Sequence, residues 1–298
     1  MQAHYNSLVP FAKAGQVQVF STRRKAGFTL LELLVVAAII SILASLLLPT
    51  LVHSKIKAQG TRCENNNKQL ILAWIMYTGD NGDKLVYNLG GSADRQTLAQ
   101  RNAPNWVNNI MDWNLSPDNT NVTFTGSSLL GPDTANVPEI FHCPSDRVLS
   151  EQQKEAGWTS RVRSVSMNAM VGNPGDLLQG KVNVNNPYYV QFLKGSDIRN
   201  PADIFVFLDE HPDSINDGYF LGPSASSYYT LEWDDLPGSY HDGGTSISFA
   251  DGHAEMHRWA DPDTLKPNVA FGAPLPFYPA KGEHTDTEWL VWHRSVAQ

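Results

Sequence analysis

Arg23-Arg24-Lys25-Ala26-Gly27-Phe28-Thr29-Leu30-Leu31-Glu32 leads into a run that stays almost purely apolar to Leu48 and Pro49. Within residues 28–48 only Thr29, Glu32, Ser41 and Ser45 are polar. As a helix the run is about 31 Å long, one hydrocarbon thickness, so it is predicted to span a bilayer. A cleavable secretory signal has a shorter apolar core with a small-residue cut site after it. Here the basic cluster and Gly27 both precede the core, so any cut falls before the span and the anchor is retained.

Glu32 narrows the reading. A carboxylate at mid-membrane costs about 2.5–3.5 kcal/mol and needs a partner, yet no Lys or Arg follows it within the span. A cut between Gly27 and Phe28 would create an α-amino group with a pKa of about 8, cationic at neutral pH and four residues from Glu32 on the same helical face. The plainer reading is an uncut anchor whose Glu32 snorkels to the near interface.

Gly27 followed by Phe28-Thr29-Leu30-Leu31-Glu32, with basic residues before and a long apolar helix after, resembles the processing site of type IV prepilins and type II secretion pseudopilins. The resemblance implies that a membrane prepilin peptidase cuts after Gly27 and N-methylates Phe28. It further implies that Glu32 neutralises the terminus of a neighbouring subunit during filament assembly, with Pro49 at the family's helix-kinking position. The expected organisation is a removed leader (residues 1–27), a transmembrane and assembly helix (28–49), its amphipathic continuation (50–79) and an extracytoplasmic β-rich domain (80–298).

The leader holds Lys13, Arg23, Arg24 and Lys25 and no acid, so its removal takes the net charge from −8 to −12. That argues against nucleic acid as a partner and leaves membrane lipid, the peptidase and other pilin-like subunits. Lys55, Lys57 and Arg62 on the far flank balance the positive-inside count. A cytoplasmic N-terminus and a periplasmic or extracytoplasmic domain, in a single-pass protein of the cytoplasmic membrane, therefore follow from the resemblance.

Beyond Pro49, Cys63, Asn66, Leu70, Ala73 or Trp74, and Tyr77 recur at helical spacing, and Gly79-Asp80-Asn81-Gly82-Asp83 supplies a stop. About 220 residues follow the membrane-proximal helix, enough for one domain. Residues 84–140 read as loop-rich, with no helix longer than two turns. Trp106 and Trp113 there suit a carbohydrate-stacking platform or, more commonly, plugs in the domain's own core. Strands are expected at 161–167 and 204–208, the latter as a central buried strand. The fold class is α+β: a long N-terminal helix packed on a mainly antiparallel sheet, pilin-like.

Residues 246–250 and 253–257 both alternate in polarity around Asp251-Gly252, a two-residue hairpin signal of the type I′ class. Pairing Phe249 with Ala254 and Ile247 with Met256 puts all four on one face. His241, nine residues, then Asp251-Gly252 is similar to the histidine-x9-Asp-Gly segment of prepilin-processing-associated proteins, to which no chemistry is attached. Cys63 with residues 65–69, residues 141–146 (Phe-His-Cys-Pro-Ser-Asp), 163–168 (Arg-Ser-Val-Ser-Met-Asn) and 209–218 extend the resemblance along most of the chain.

No nucleophile elbow, phosphate-binding glycine loop or HExxH motif is present, so the chain is read as a structural subunit of a type II secretion pseudopilus or type IV pilus-like filament, not an enzyme. The competing reading is a membrane-tethered carbohydrate-binding or hydrolytic domain that uses the same processing route. No cofactor is required. His253 and His257 lie roughly 13 Å apart along a strand, too far to share an ion. Residues 213–224 lack the ligands of an EF-hand, with Ile215 and Ser224 at ligand positions. A cross-strand site for Ca²⁺ or another structural metal built from His241, Asp251 and Asp209 or Glu210 stands against plain hydrogen bonding and turn capping. Cys63 and Cys143 either form a disulfide, closing a loop of about 80 residues worth about 4 kcal/mol, or pack as buried thiols. Neither has a second cysteine near it in sequence, which argues against zinc.

Overall fold

The computed structural model describes residues 27–90, 104–227, 230–266 and 285–297. The leader's basic residues lie outside that set. Contacts divide the chain into a unit that ends at Thr50 and one that begins at Leu51.

Helix α1 is assigned over Leu30–Asp80. Its start is fixed locally: Thr29 Oγ1 accepts from the Glu32 N–H at 3.2 Å, and Glu32 Oε2 accepts from the Thr29 N–H at 2.9 Å and from its hydroxyl at 2.9 Å. This reciprocal pair is a capping box, which Thr29-x-x-Glu32 encodes. Up to Thr50 the helix exposes every side chain, including Phe28, Leu33, Ile40 and Leu46. It is the helix among the described residues that is long and apolar enough to cross a membrane. From Gly60 onward α1 buries one face, with Cys63, Asn66, Asn67, Leu70, Ile71, Ala73, Trp74 and Thr78 inside, as the three- and four-residue spacing predicts. Fully burying Leu70 and Ile71 stabilises by about 1.5–3 kcal/mol each.

Two short helices, α2 (Thr123–Gly126) and α3 (Glu151–Glu155), interrupt loop-rich chain before the strands. The strands are β1 (Val165–Asn168), β2 (Leu178–Gln179), β3 (Val182–Asn183), β4 (Phe205–Asp209), β5 (Tyr219–Phe220), β6 (Pro223–Ser227), β7 (Thr230–Trp233), β8 (Gly244–Phe249) and β9 (Ala254–Arg258). The main sheet has the order β5-β1-β4-β8-β9, and β2-β3 and β6-β7 are separate ribbons. All main-sheet pairs are antiparallel except β1-β5. The α+β class expected from the sequence is the fold observed, and β4 is the central buried strand.

Sequence patterning does not foretell α4 (Thr285–Arg294). Asp286 anchors its start by accepting from the Ala260 and Asp261 N–H groups, while Asp261 accepts from the Asp286 N–H. The helix lays Trp289 over His257, ring centroids 3.9 Å apart.

The sheet is therefore covered on both faces. Leu70, Ile71 and Trp74 of α1 join Val165, Met167, Val206 and Phe207 in one core. Phe205, Leu208, Ile247, Phe249, Trp259 and Leu290 of α4 form the other. Trp106 belongs to the first core, fully buried 5.1 Å from Phe207, and Trp113 lies under the Arg161 guanidinium. The two tryptophans form no exposed stacking platform.

The β8-β9 hairpin differs from its expected register. Ile247 pairs with Glu255 and Ser248 with Ala254, one residue off the two-residue-turn alignment, because the loop holds three residues. The Phe249 N–H donates to the His253 carbonyl at 2.9 Å, and Gly252 alone takes positive φ there, +94°. That is the three-residue hairpin with a left-handed final residue. The slip puts Ile247 and Phe249 on the α4 face, and Met256 on the α1 face near Gly60. With both faces buried, polarity no longer selects one register. The two-residue turn with positive φ at both positions forms instead at Asp242 (58°) and Gly243 (83°). There the His241 and Gly244 backbones exchange two hydrogen bonds of 3.1 and 3.2 Å.

Candidate functional site

That Asp242-Gly243 turn aims His241 at the buried face of α1. Gly60 makes the approach close, since a Cβ there would stand 3.6 Å from the His241 ring and 3.3 Å from Met256. One helical turn on, Cys63 reaches the same place, where Asp209 arrives from the end of β4 and Cys143 from the loop after Phe141. Their donor atoms all lie within 4.8 Å of one another. Cys63 Sγ donates to Asp209 Oδ2 at 2.7 Å, and Cys143 Sγ lies 3.1 Å from His241 Nε2. All four side chains are buried, Cys143 and Asp209 completely.

Ser164 braces the cluster: its hydroxyl donates to Asp209 Oδ1 at 3.0 Å and accepts from the Cys143 N–H at 2.6 Å. Burial sets the electrostatics. It pushes the Asp209 carboxyl up to about 7, although hydrogen bonds from Cys63 and Ser164 oppose it. Burial also raises both thiols, Cys63 far above the ordinary range, and lowers His241. Two thiols, an imidazole and a carboxyl converging in a closed space form a donor set for a cation, or a hydrogen-bonded neutral cluster in its absence.

Of the residues expected to share a metal, the structure brings His241 and Asp209 together and separates Asp251 and Glu210 from them. Asp251 sits at the far end of β8, where its Oδ1 accepts from the backbone N–H of His253 at 2.9 Å and lies 2.6 Å from the ring Nδ1. Glu210 follows Asp209 on the chain and so faces the opposite way, accepting from the Ser214 hydroxyl at 2.9 Å. Cys63 and Cys143 are buried neighbours, as a disulfide would require, and the structure carries them as two thiols. Sequence reasoning kept the cysteines apart from the metal candidates because zinc motifs are sought as local cysteine pairs.

The histidine-x9-Asp-Gly spacing acquires a geometric meaning, because β8 runs along α1 between two docking points. His241 docks beside Gly60 and Cys63. Midway, Asn67 Nδ2 donates to the Ser246 carbonyl at 3.2 Å. At the far end Lys68 Nζ donates to the Gly252 carbonyl, and a Cβ on Gly252 would meet Ile75 Cδ1 at 3.0 Å. Nine intervening residues are one strand plus its turns. Gly252→Ala, which adds a left-handed non-glycine and crowds Ile75, is expected to cost about 1–3 kcal/mol. At roughly 2–4 °C per kcal/mol for a domain of this size, thermal unfolding of the full chain in detergent would register that loss, and an unchanged Tm would refute it.

The prokaryotic N-terminal methylation motif matches residues 22–48. The matched segment contains Gly27, Phe28 and Glu32 together with most of the exposed apolar run. Type II secretion system core protein G of Aeromonas hydrophila is 46% identical over 59 residues, 20% of this chain and 41% of that protein. The match thus spans about two fifths of that relative's length. No solved structure matches the chain.

Proposed function

We propose that the chain is a pilin-like structural subunit. A prepilin peptidase cuts it between Gly27 and Phe28 and methylates the new terminus, and the helix beginning there draws it from the cytoplasmic membrane into a type II secretion pseudopilus or a related filament. The observation that carries this reading is the prepilin motif on a helix whose first two dozen residues expose apolar side chains on all sides. Such a surface has two stable surroundings, lipid and the packed helices of sister subunits. The same route holds the leader in the cytoplasm and the domain from Leu51 onward outside it. Subunits related to core protein G of the secretion machinery are the partners this reading favours.

Mass spectrometry of the protein from its native membrane tests the reading. The expected mature chain begins at Phe28 and carries one methyl group on its α-nitrogen, and Gly27→Val accumulates with its leader attached. An intact leader on the unsubstituted native protein overturns it.

A further inference from the structure

We propose that Cys63, Cys143, Asp209 and His241 are a structural zinc site that fastens helix α1 to the β-sheet. Zinc takes thiolate, imidazole and carboxylate ligands at about 2.3, 2.0–2.1 and 2.0–2.2 Å in a tetrahedron, whose edges are then about 3.3–3.8 Å long. The separations here bracket those edges, with 2.7 and 3.1 Å for two pairs and 4.8 Å as the upper limit for all. Seating an ion lengthens the two short pairs and draws the wider ones in by at most about 1–1.5 Å, a distance on the scale of side-chain adjustment.

The donor set chooses among metals. Calcium needs six to eight oxygens, and this cluster offers one carboxylate. Two sulfurs with an imidazole select a soft or borderline dication, and the tetrahedral count selects zinc. Four protein ligands leave no open position, and each is at least nine-tenths buried by accessible surface. Closed sites of this kind are structural, not catalytic. An open groove lined by Gly60, His241, Asp242 and Met256 provides an entry path beside the His241 ring.

A disulfide between the cysteines satisfies the cluster less well. It removes the thiol that donates to Asp209 and leaves a fully buried carboxyl short of a partner, a cost of about 1–3 kcal/mol or more. Zinc loading instead releases the two thiol protons, and any proton on Asp209, to solvent. Zn²⁺ keeps its oxidation state, so no oxidant is required. Ser164 is the positioning residue, through its hydrogen bonds to Asp209 and to the Cys143 backbone. The ligands lie as much as 146 residues apart in pairwise contact, so one ion would cross-link most of the domain to the helix.

The test uses the full chain purified in detergent without chelators. Elemental analysis is expected to find one zinc ion per chain. Cobalt exchange is expected to give a thiolate-to-cobalt charge-transfer band with intense tetrahedral visible bands. Cys143→Ser and His241→Ala should abolish both signals, while Asp251→Asn and His253→Gln retain them. Ser164→Ala should weaken zinc binding about 10–100-fold, the usual effect of losing a group that orients a ligand. If a ligand variant does not fold, the cobalt spectrum of the unsubstituted chain decides alone. Two routes overturn the site: thiol titration that finds Cys63 and Cys143 joined in a disulfide in the native protein, or a reduced, folded chain that takes up neither zinc nor cobalt.

Discussion

Replacing Glu32 with Ala is expected to leave membrane insertion intact and to lower incorporation into filaments by about a hundredfold. The loss follows from charge. On the proposed route the Phe28 ammonium of one subunit would sit in an apolar surrounding, and Glu32 of a neighbour would be the acid able to neutralise it, since no other acid lies within residues 28–48. An unpartnered charge at membrane depth costs about 2.5–3.5 kcal/mol, and about 1.4 kcal/mol is a factor of ten in an equilibrium. Insertion is spared because Ala is more apolar than Glu.

The capping box at Thr29 and Glu32 supplies a rival cause, as Ala also strips the first helical turn of its side-chain partner. Glu32→Gln separates the two, because glutamine serves a capping box as glutamate does but carries no charge. Neutralisation predicts that Glu32→Gln assembles as poorly as Glu32→Ala, whereas a purely local helix effect predicts near-normal assembly. The readout is the variant's share in sheared filament material or in cross-linked complexes with other pilin-like subunits. Normal incorporation of both variants would remove Glu32 from assembly altogether.

What the sequence disclosed depended on range. The α1 boundary at Asp80 was legible because helix periodicity and a Gly-Asp-Asn-Gly stop are both local, and β4 was legible as an unbroken apolar run. The β8-β9 hairpin was legible as a hairpin but not in register: Asp-Gly suits two loop lengths, and the choice depended on α1 and α4 covering both faces. Helix α4 escaped notice because its ordering comes from outside itself, through the Asp261-Asp286 exchange and the stacking of Trp289 on His257. The four-residue cluster was half visible. His241 and Asp209 stood out as candidates, but joining them to Cys63 and Cys143 requires chain separations of 146 and 98 residues, which no spacing rule reaches.

The Arg163-Ser164-Val165-Ser166 segment carries the second large effect, because it supplies the opposite face of the sheet with a buried cation. Arg163 is fully buried. Its Nε donates to Asn109 Oδ1 at 3.1 Å, one terminal nitrogen to the Val165 carbonyl at 2.6 Å and the Ser166 hydroxyl at 3.0 Å, and the other to the Asp217 carbonyl at 2.8 Å. Burial pulls its pKa down to about 10, against the charges of Glu210 and Asp217, so it remains cationic at neutral pH. Burial also pushes Glu210 up to about 8, with Arg163 pulling the other way. Arg163→Leu would leave several acceptors unpaired in the core and is expected to cost about 3–5 kcal/mol. At roughly 2–4 °C per kcal/mol, that is a drop in Tm of about 6–20 °C for the full chain in detergent. Arg163→Lys should fall between, since one ammonium cannot serve acceptors spread around a planar fork. Adding Glu210→Gln to Arg163→Leu should cost less than the two changes summed, because Glu210 and the guanidinium act on the same Ser166 hydroxyl and on each other's charge. Strict additivity, or a Tm within about 2 °C of the unsubstituted chain, would mean that the guanidinium fills space there without holding the sheet to its loops.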